Sequence, residues 1–277
     1  MADKELNKEL SYDQMLRYSR HIMLPSIELE GQTKIHNAHV LIIGLGGLGC
    51  AAAQYLAASG VGQLTLVDDD SVEKTNLQRQ VLHSESTLGM AKVASAKRTL
   101  SQLNSNIQIN TLDRRLSAVE LAELLQRVDV VADCTDNLSS RLLINQLCFE
   151  HKVPLVSGAA IRFEGQVASF TMQAGAACYQ CISRFFAEQN ASCSESGVFS
   201  PVTGVVGSLQ AAEVLKLISG VGLSLAGCLL FIDVRTMEFT SLRVSAVAGC
   251  PVCGHPQVNS SHLLMQPTEE NSSMDKR

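Results

Sequence analysis

HVLIIGLGGLGCAAAQYLAASGVGQLTLVDDD, residues 39–70, reads as three elements in a row. HVLII is an unbroken apolar run, the pattern of a strand buried on both faces. GLGGLG fits G-x-G-x-x-G, whose glycines permit a tight turn and close approach of a phosphate to the backbone. CAAAQYLAASG follows as a helix stopped by Gly60, and QLTLV as a second strand ending on Asp68, Asp69 and Asp70. Asp68 lies 24 positions after Gly44, at a strand tip where a carboxylate can take ribose hydroxyls. Gly44, Gly46, Gly47 and Asp68 are therefore candidate nucleotide-binding residues, with NAD and ATP both open as the ligand.

Outward from this stretch the alternation continues. KVASAKRTLSQLN reads as a helix, NIQINTL as a strand, SAVELAELLQR as a helix capped by Ser117, and VDVVADCTDN as a strand. NLSSRLLINQLCFEHK and VPLVSGAA add another helix and strand. Repeated β-α-β units imply an α/β, doubly wound, mainly parallel sheet. GQVASFTM, CLLFIDV and EFTSLRV then alternate apolar with polar, which implies C-terminal antiparallel strands, with VVGSLQAAEVLKLISG as a helix among them. Ser11 to Leu24 carries apolar residues at helical spacing, with Arg17 and Arg20 among them, and an EGQTKIHN connection leads to the first strand. One domain over 1–254 is expected, followed by a polar tail, 255–277, expected to be disordered.

The 277 residues are 46% hydrophobic and 18% charged, with a net charge of −5. An acidic balance disfavours nucleic acid, which requires a basic stripe to displace counterions. Without a run of eighteen apolar residues or a cationic leader, the chain reads as cytoplasmic with no membrane partner.

Nine cysteines divide into three groups. Cys178/Cys181 and Cys250/Cys253 form two CxxC pairs, and two such turns supply the four soft ligands of a tetrahedral structural zinc. A redox dithiol is the rival reading, but two pairs this far apart favour the metal. Cys50, Cys134, Cys148 and Cys228 sit in apolar or helical stretches and read as small core residues. Cys193 lies in polar NASCSESG, where a thiol has no packing reason to be. The seven histidines form no metal or triad pattern and read as surface or packing residues.

TNLQRQ follows the acidic tip and holds Asn76, Arg79 and Gln80, with Lys92 at the head of the next helix. Such a concentration of cations and amides suits a triphosphate better than a dinucleotide. Asp136 in DCTDN stands just past a strand's C-terminal end, where ligands of open α/β sheets lie, and could hold Mg²⁺ against phosphate oxygens. Each residue alone reads as a solvated surface group; their coincidence at strand and helix ends points to a site.

GLGGLG, DDDSVEKTNLQRQ, Lys92, DCTDN, SGAAIRFEGQ, CYQC, CPVC and RYSRHI together resemble the MoeB/ThiF family, bacterial relatives of ubiquitin-activating enzymes, over roughly residues 11 to 254. The resemblance implies a Rossmann-like domain that uses MgATP to adenylate the C-terminal glycine of a small β-grasp sulfur-carrier protein ending in Gly-Gly, releasing pyrophosphate. It implies that Asp68 holds the ribose, that Asn76, Arg79 and Lys92 contact the phosphates, that Gln80 and Asn137 also bind the nucleotide, that Asp136 binds the magnesium, and that Arg20 reaches the neighbouring subunit's phosphates in a homodimer. Cys193 would serve only sulfur or acyl transfer. SGAAIRFEGQ and LHSESTLGMAKV favour the molybdopterin-synthase branch over the thiamine branch, and the sulfur donor, a cysteine desulfurase or rhodanese, is expected to be a separate protein. Two other classes stay open: an NAD-dependent oxidoreductase, and a non-catalytic scaffold, which would be expected to lack some of the cations this chain retains.

Overall fold

The computed structural model describes residues 9–184 and 197–254. Eight strands form one sheet: β1 (His39–Ile43), β2 (Gln63–Val67), β3 (Gln108–Leu112), β4 (Val130–Asp133), β5 (Leu155–Ile161), β6 (Glu164–Phe170), β7 (Cys228–Asp233) and β8 (Glu238–Arg243). Their order is β3-β2-β1-β4-β5-β6-β7-β8. The first five pair in parallel and the last three antiparallel, as the change in patterning implied.

The sheet divides the core in two. Val40, Ile42, Val130 and Ala132 belong to one apolar cluster, while Leu41 and Val131, the alternate residues of the same strands, belong to the other. Both faces are covered, so the central strands β1 and β4 read as near-continuous apolar runs. The first face carries α3 (Glu28–Asn37), α4 (Gly47–Ala58), α5 (Lys92–Leu103) and α9 (Ser200–Ser219). The second carries α6 (Ala118–Leu125), α7 (Leu138–His151) and the short α8 (Tyr179–Ser183). Helix α9 is long and apolar enough to cross a membrane, but it packs on α4, with Val202, Val206 and Val214 buried. A Cβ on Gly47 would fall 2.8 Å from that of Thr203, so glycine sets how closely these two helices approach.

Two local expectations need correction. The N-terminal helix is two helices, α1 (Tyr12–Arg17) and α2 (Ser19–Ile22). The break is at Tyr18, which is buried, lies against Gly60 and takes a hydrogen bond from Asn104 Nδ2 (2.9 Å). EGQTKIHN is helical too, as the end of α3; its buried residues are Gly31, Gln32 and Ile35, too few apolar groups to register as a stripe. Cys178 is the N-cap of α8.

Candidate nucleotide crevice and metal knot

Strand β1 is followed by a turn toward β2 on one side, while β4 pairs on its other side. The sheet therefore has its topological switch between β1 and β4, the place where open α/β sheets bind ligands. Both strands end there in loops that touch. Cys134 N–H donates to the Ile43 carbonyl (2.9 Å). Gly44 has φ of +92°, and a Cβ on it would sit 2.7 Å from the Cys134 carbonyl oxygen. Only glycine serves there, on both counts.

The glycine turn is held by charge from β2. Asp68 Oδ2 accepts from Leu45 N–H (2.6 Å) and Oδ1 from Asp70 N–H (2.9 Å). Burial raises the Asp68 pKa, against the lowering effect of the Leu45 N–H and of Lys92. Lys92 begins α5 and is only 5% exposed. Its ammonium lies 2.6 Å from Asp70 Oδ2 and 3.9 Å from Asp68 Oδ1. Asp69 pairs with Arg115 at 3.6 Å while keeping a carboxylate oxygen within 4.8 Å of those of Asp68 and Asp70. Arg79 donates to Asn76 Oδ1 and to the Thr75 carbonyl, each at 3.3 Å. Gln80 is buried, its amide nitrogen 3.8 Å from where a Cβ of Gly46 would lie, and its Oε1 has no hydrogen-bond partner. A buried unsatisfied acceptor costs roughly 1–3 kcal/mol, and a ligand donor in the crevice would remove that cost.

Asp136 is exposed in the turn between β4 and α7, as expected. Asn137 beside it has a structural task, since its Oδ1 caps α7 by accepting from Ser140 N–H (2.9 Å) and Ser139 Oγ (3.0 Å). Arg20 is not brought to this crevice. It is exposed on α2, with Met23 Sδ 3.7 Å away. Cys193 lies outside the described residues.

Two groups escaped the sequence reading. His83 Nε2 lies 3.2 Å from the Leu45 carbonyl and Nδ1 2.9 Å from Ser95 Oγ, so the Leu45 peptide is held on one side by Asp68 and on the other by the imidazole. A carbonyl only accepts, which places the proton on Nε2, and burial lowers the His83 pKa. Arg141 and Asn145 are both buried on α7, four residues apart. Two polar residues on the inner stripe of a helix were the available signal.

The CxxC pairs meet as expected. The four Sγ atoms lie within 4.8 Å of one another, with Cys178–Cys250 at 3.8 Å and Cys181–Cys253 at 3.3 Å. Tetrahedral Zn–S bonds of about 2.3 Å set sulfurs roughly 3.8 Å apart, so the cluster fits that ion. Burial works against the Cys250 thiolate, but N–H groups of Cys253 and Val252 bring its pKa down to about 7, whereas burial and neighbouring thiols push Cys253 up. Cys50, Cys134 and Cys148 are buried with raised pKa values, Cys50 at about 12, which makes them inert packing residues.

A glycine turn at the switch point, a buried lysine paired with the carboxylates behind it and four converging thiols that could hold a metal define an α/β protein of the nucleotide-binding class. The model of the ThiF family matches residues 18–252, and the chain belongs to that family. Its relatives include the protein named molybdopterin-synthase adenylyltransferase of Escherichia coli K12, 49% identical over 89% of this chain and 99% of that one. Another is the adenylyltransferase and sulfurtransferase MOCS3 of Danio rerio, 44% identical over 92% of this chain but 56% of that one. Among solved structures, E. coli MccB with AMPCPP and MccA superposes with a TM-score of 0.76 at 26% identity, covering 86% and 74% of the two chains. PaaA, at 22% identity over 89% and 78% of the two chains and a TM-score of 0.75, shares the fold.

Proposed function

We propose that this chain adenylates the C-terminal carboxylate of a small β-grasp sulfur carrier ending in Gly-Gly, using MgATP, on the molybdopterin-synthase branch of its family. The observation that carries the reading is Lys92, a buried ammonium at a helix head, 3.9 Å from the Asp68 carboxylate that holds the glycine turn of the crevice. The names of the relatives support the molybdopterin-synthase branch over the thiamine alternative. A C-terminal carboxylate has a pKa near 3.5, so it is already an anionic nucleophile at neutral pH. Its oxygen bonds to the α-phosphorus of ATP while the bond from that phosphorus to the bridging oxygen breaks and pyrophosphate leaves. The obstacle is like charge, and cations fixed in a partly dry crevice are the remedy. Asp68 orients the ribose, Arg79 and Lys92 neutralise phosphate oxygens, Gln80 accepts from the nucleotide, and Asp136 would hold the magnesium that accompanies ATP. No step of adenylation needs a thiol, which leaves Cys193 for a later sulfur or acyl transfer fed by a separate donor.

Arg20 acts on the phosphates of a second copy. Tyr18, two residues before it, is fixed where α4 ends, by Gly60 and Asn104. The glycine turn is at the other end of that twelve-residue helix, about 18 Å away. Tyr12, Leu16, Met23 and Leu24 are exposed on the same N-terminal segment, an apolar surface suited to a homodimer contact. The zinc held by the four cysteines is structural, since four thiolates leave no open position. The described cysteines are all free, which fits a reducing cytoplasm.

Carrier-dependent exchange of labelled pyrophosphate into ATP tests the activity. Nicotinamide binding without exchange would overturn it in favour of an oxidoreductase.

A further inference from the structure

Helix α7 ties the metal knot to the turn that carries Asp136. Asn145 is fully buried and serves the knot: its Oδ1 accepts from Tyr179 N–H (2.7 Å), and its Nδ2 lies 3.6 Å from Cys178 Sγ. Arg141, one turn earlier and 9% exposed, serves the other end, where Nη2 donates to the Thr135 carbonyl. That carbonyl belongs to the peptide joining Thr135 to Asp136. The preceding peptide is held as well, since Thr135 N–H (3.0 Å) and Oγ1 (2.7 Å) both donate to Asp133 Oδ1. Asp133 is itself fully buried and takes Ser157 Oγ at 3.0 Å on Oδ2. Two consecutive peptide planes are thus fixed immediately before Asp136. The Arg141 guanidinium lies 6.0 Å from the ring centroid of Tyr179, the residue between the knot and Asn145, and that ring is set edge-on to Phe170 at 6.2 Å.

The geometry points to Arg141 as a positioning residue that aims Asp136 at the nucleotide's metal, with Tyr179 of the metal knot as the wall that holds the guanidinium in place. The knot then buttresses the catalytic turn as well as the C-terminal chain. This rests on the adenylation reading for the role of Asp136 but concerns residues outside the motif set. A residue that orients a metal ligand changes metal affinity typically by 10–100-fold when removed. A bulk structural residue would change stability without that selectivity.

The test compares the full-length wild type with Arg141→Met, Arg141→Lys and Tyr179→Leu. Binding of Mn²⁺ in the presence of a non-hydrolysable ATP analogue is measured by calorimetry, beside zinc content, analogue binding in EDTA and the magnesium dependence of exchange. Arg141→Met should weaken Mn²⁺ binding about tenfold or more, with zinc content and metal-free analogue binding unchanged. Arg141→Lys, which keeps one donor for the Thr135 carbonyl, should recover part of the loss, and Tyr179→Leu should weaken Mn²⁺ binding in the same direction. Unchanged Mn²⁺ affinity in a folded, zinc-loaded Arg141→Met overturns the inference. If that variant does not fold, unchanged affinity in both of the others overturns it. A wild type that binds Mn²⁺ and analogue but exchanges no pyrophosphate would break the adenylation reading and leave the Arg141 comparison intact.

Discussion

The candidate nucleotide crevice and the four-thiol knot both gather side chains that can bind a ligand, and they are built in opposite ways. In the knot the four thiols are buried against one another and against Ala177. In the crevice the charges are paired provisionally: Lys92 leans on Asp70, whose carboxylate is 67% exposed, and Arg79 on a neighbouring amide and carbonyl. A closed set of ligands gives stability. An open set with weak internal partners gives groups that can exchange those partners for phosphate. Perturbing one region should therefore move activity, and perturbing the other should move stability first.

The largest expected effect is at Asp136. Asp136→Ala should fold with an unchanged melting temperature, because the side chain is exposed, and lose carrier-dependent pyrophosphate exchange by roughly a thousandfold or more, the scale at which charge clamps on phosphoryl groups act. Near-normal exchange would place the metal on other ligands and remove Asp136 from the crevice side of the comparison.

Arg20→Ala should cost a similar roughly thousandfold factor, as an arginine delivered in trans does. Mixing it with Asp136→Ala sharpens the point. In a two-fold dimer with random subunit exchange, about a quarter of all sites would combine both wild-type residues, and activity should recover toward that fraction. Activity that stays at the level of the single variants after verified exchange would show that Arg20 works in its own subunit or not at all.

Both regions were legible in the sequence, for different reasons. The knot is carried by residue type and spacing, since two separate CxxC pairs supply the four soft ligands of a tetrahedral site. The crevice was legible because its residues sit at strand and helix ends, where the β-α-β rhythm itself marks the ligand side. What stayed hidden is what holds these groups. Arg141 lies inside an ordinary apolar helix pattern, and its partner, the Thr135 carbonyl, is a backbone atom with no signature. His83 reads as one histidine among seven until the fold brings Leu45 to it. The EGQTKIHN part of α3 reads as a connection because the helix buries little apolar surface.

The knot should respond in the reverse order to Asp136. Replacing any one of Cys178, Cys181, Cys250 or Cys253 with serine should lower zinc content below about one per chain and depress the melting temperature, because metal binding at thiolates is coupled to folding. Exchange measured well below the new melting point should fall less than in Asp136→Ala. Metal-free protein with an unchanged melting temperature would mean that the four thiols pack as a core and bind nothing.

The smallest expected effect lies at His83, which has a foot in each behaviour: it is buried like the knot but holds the crevice's glycine turn. Its pKa is lowered by burial, with the Leu45 carbonyl working the other way and the Lys92 charge adding to the lowering. A neutral imidazole is therefore favoured in the folded chain. As pH falls below the unfolded value near 6.5, the unfolded chain binds a proton that the folded one does not, and stability declines until the lower folded value is passed. Above 6.5 the contribution is complete and flat. His39, lowered mainly by burial as well, tilts the curve the same way, so the measurement is the difference between wild type and His83→Gln, in which the amide can still donate to the Leu45 carbonyl. Denaturant unfolding from pH 8 down to pH 5 should give a wild-type curve that drops more steeply below pH 6.5 than that of the variant, by at most about 1.4 kcal/mol per pH unit for one proton. Parallel curves would show that His83 titrates in the folded chain as it does unfolded, and that the turn is held by Asp68 alone.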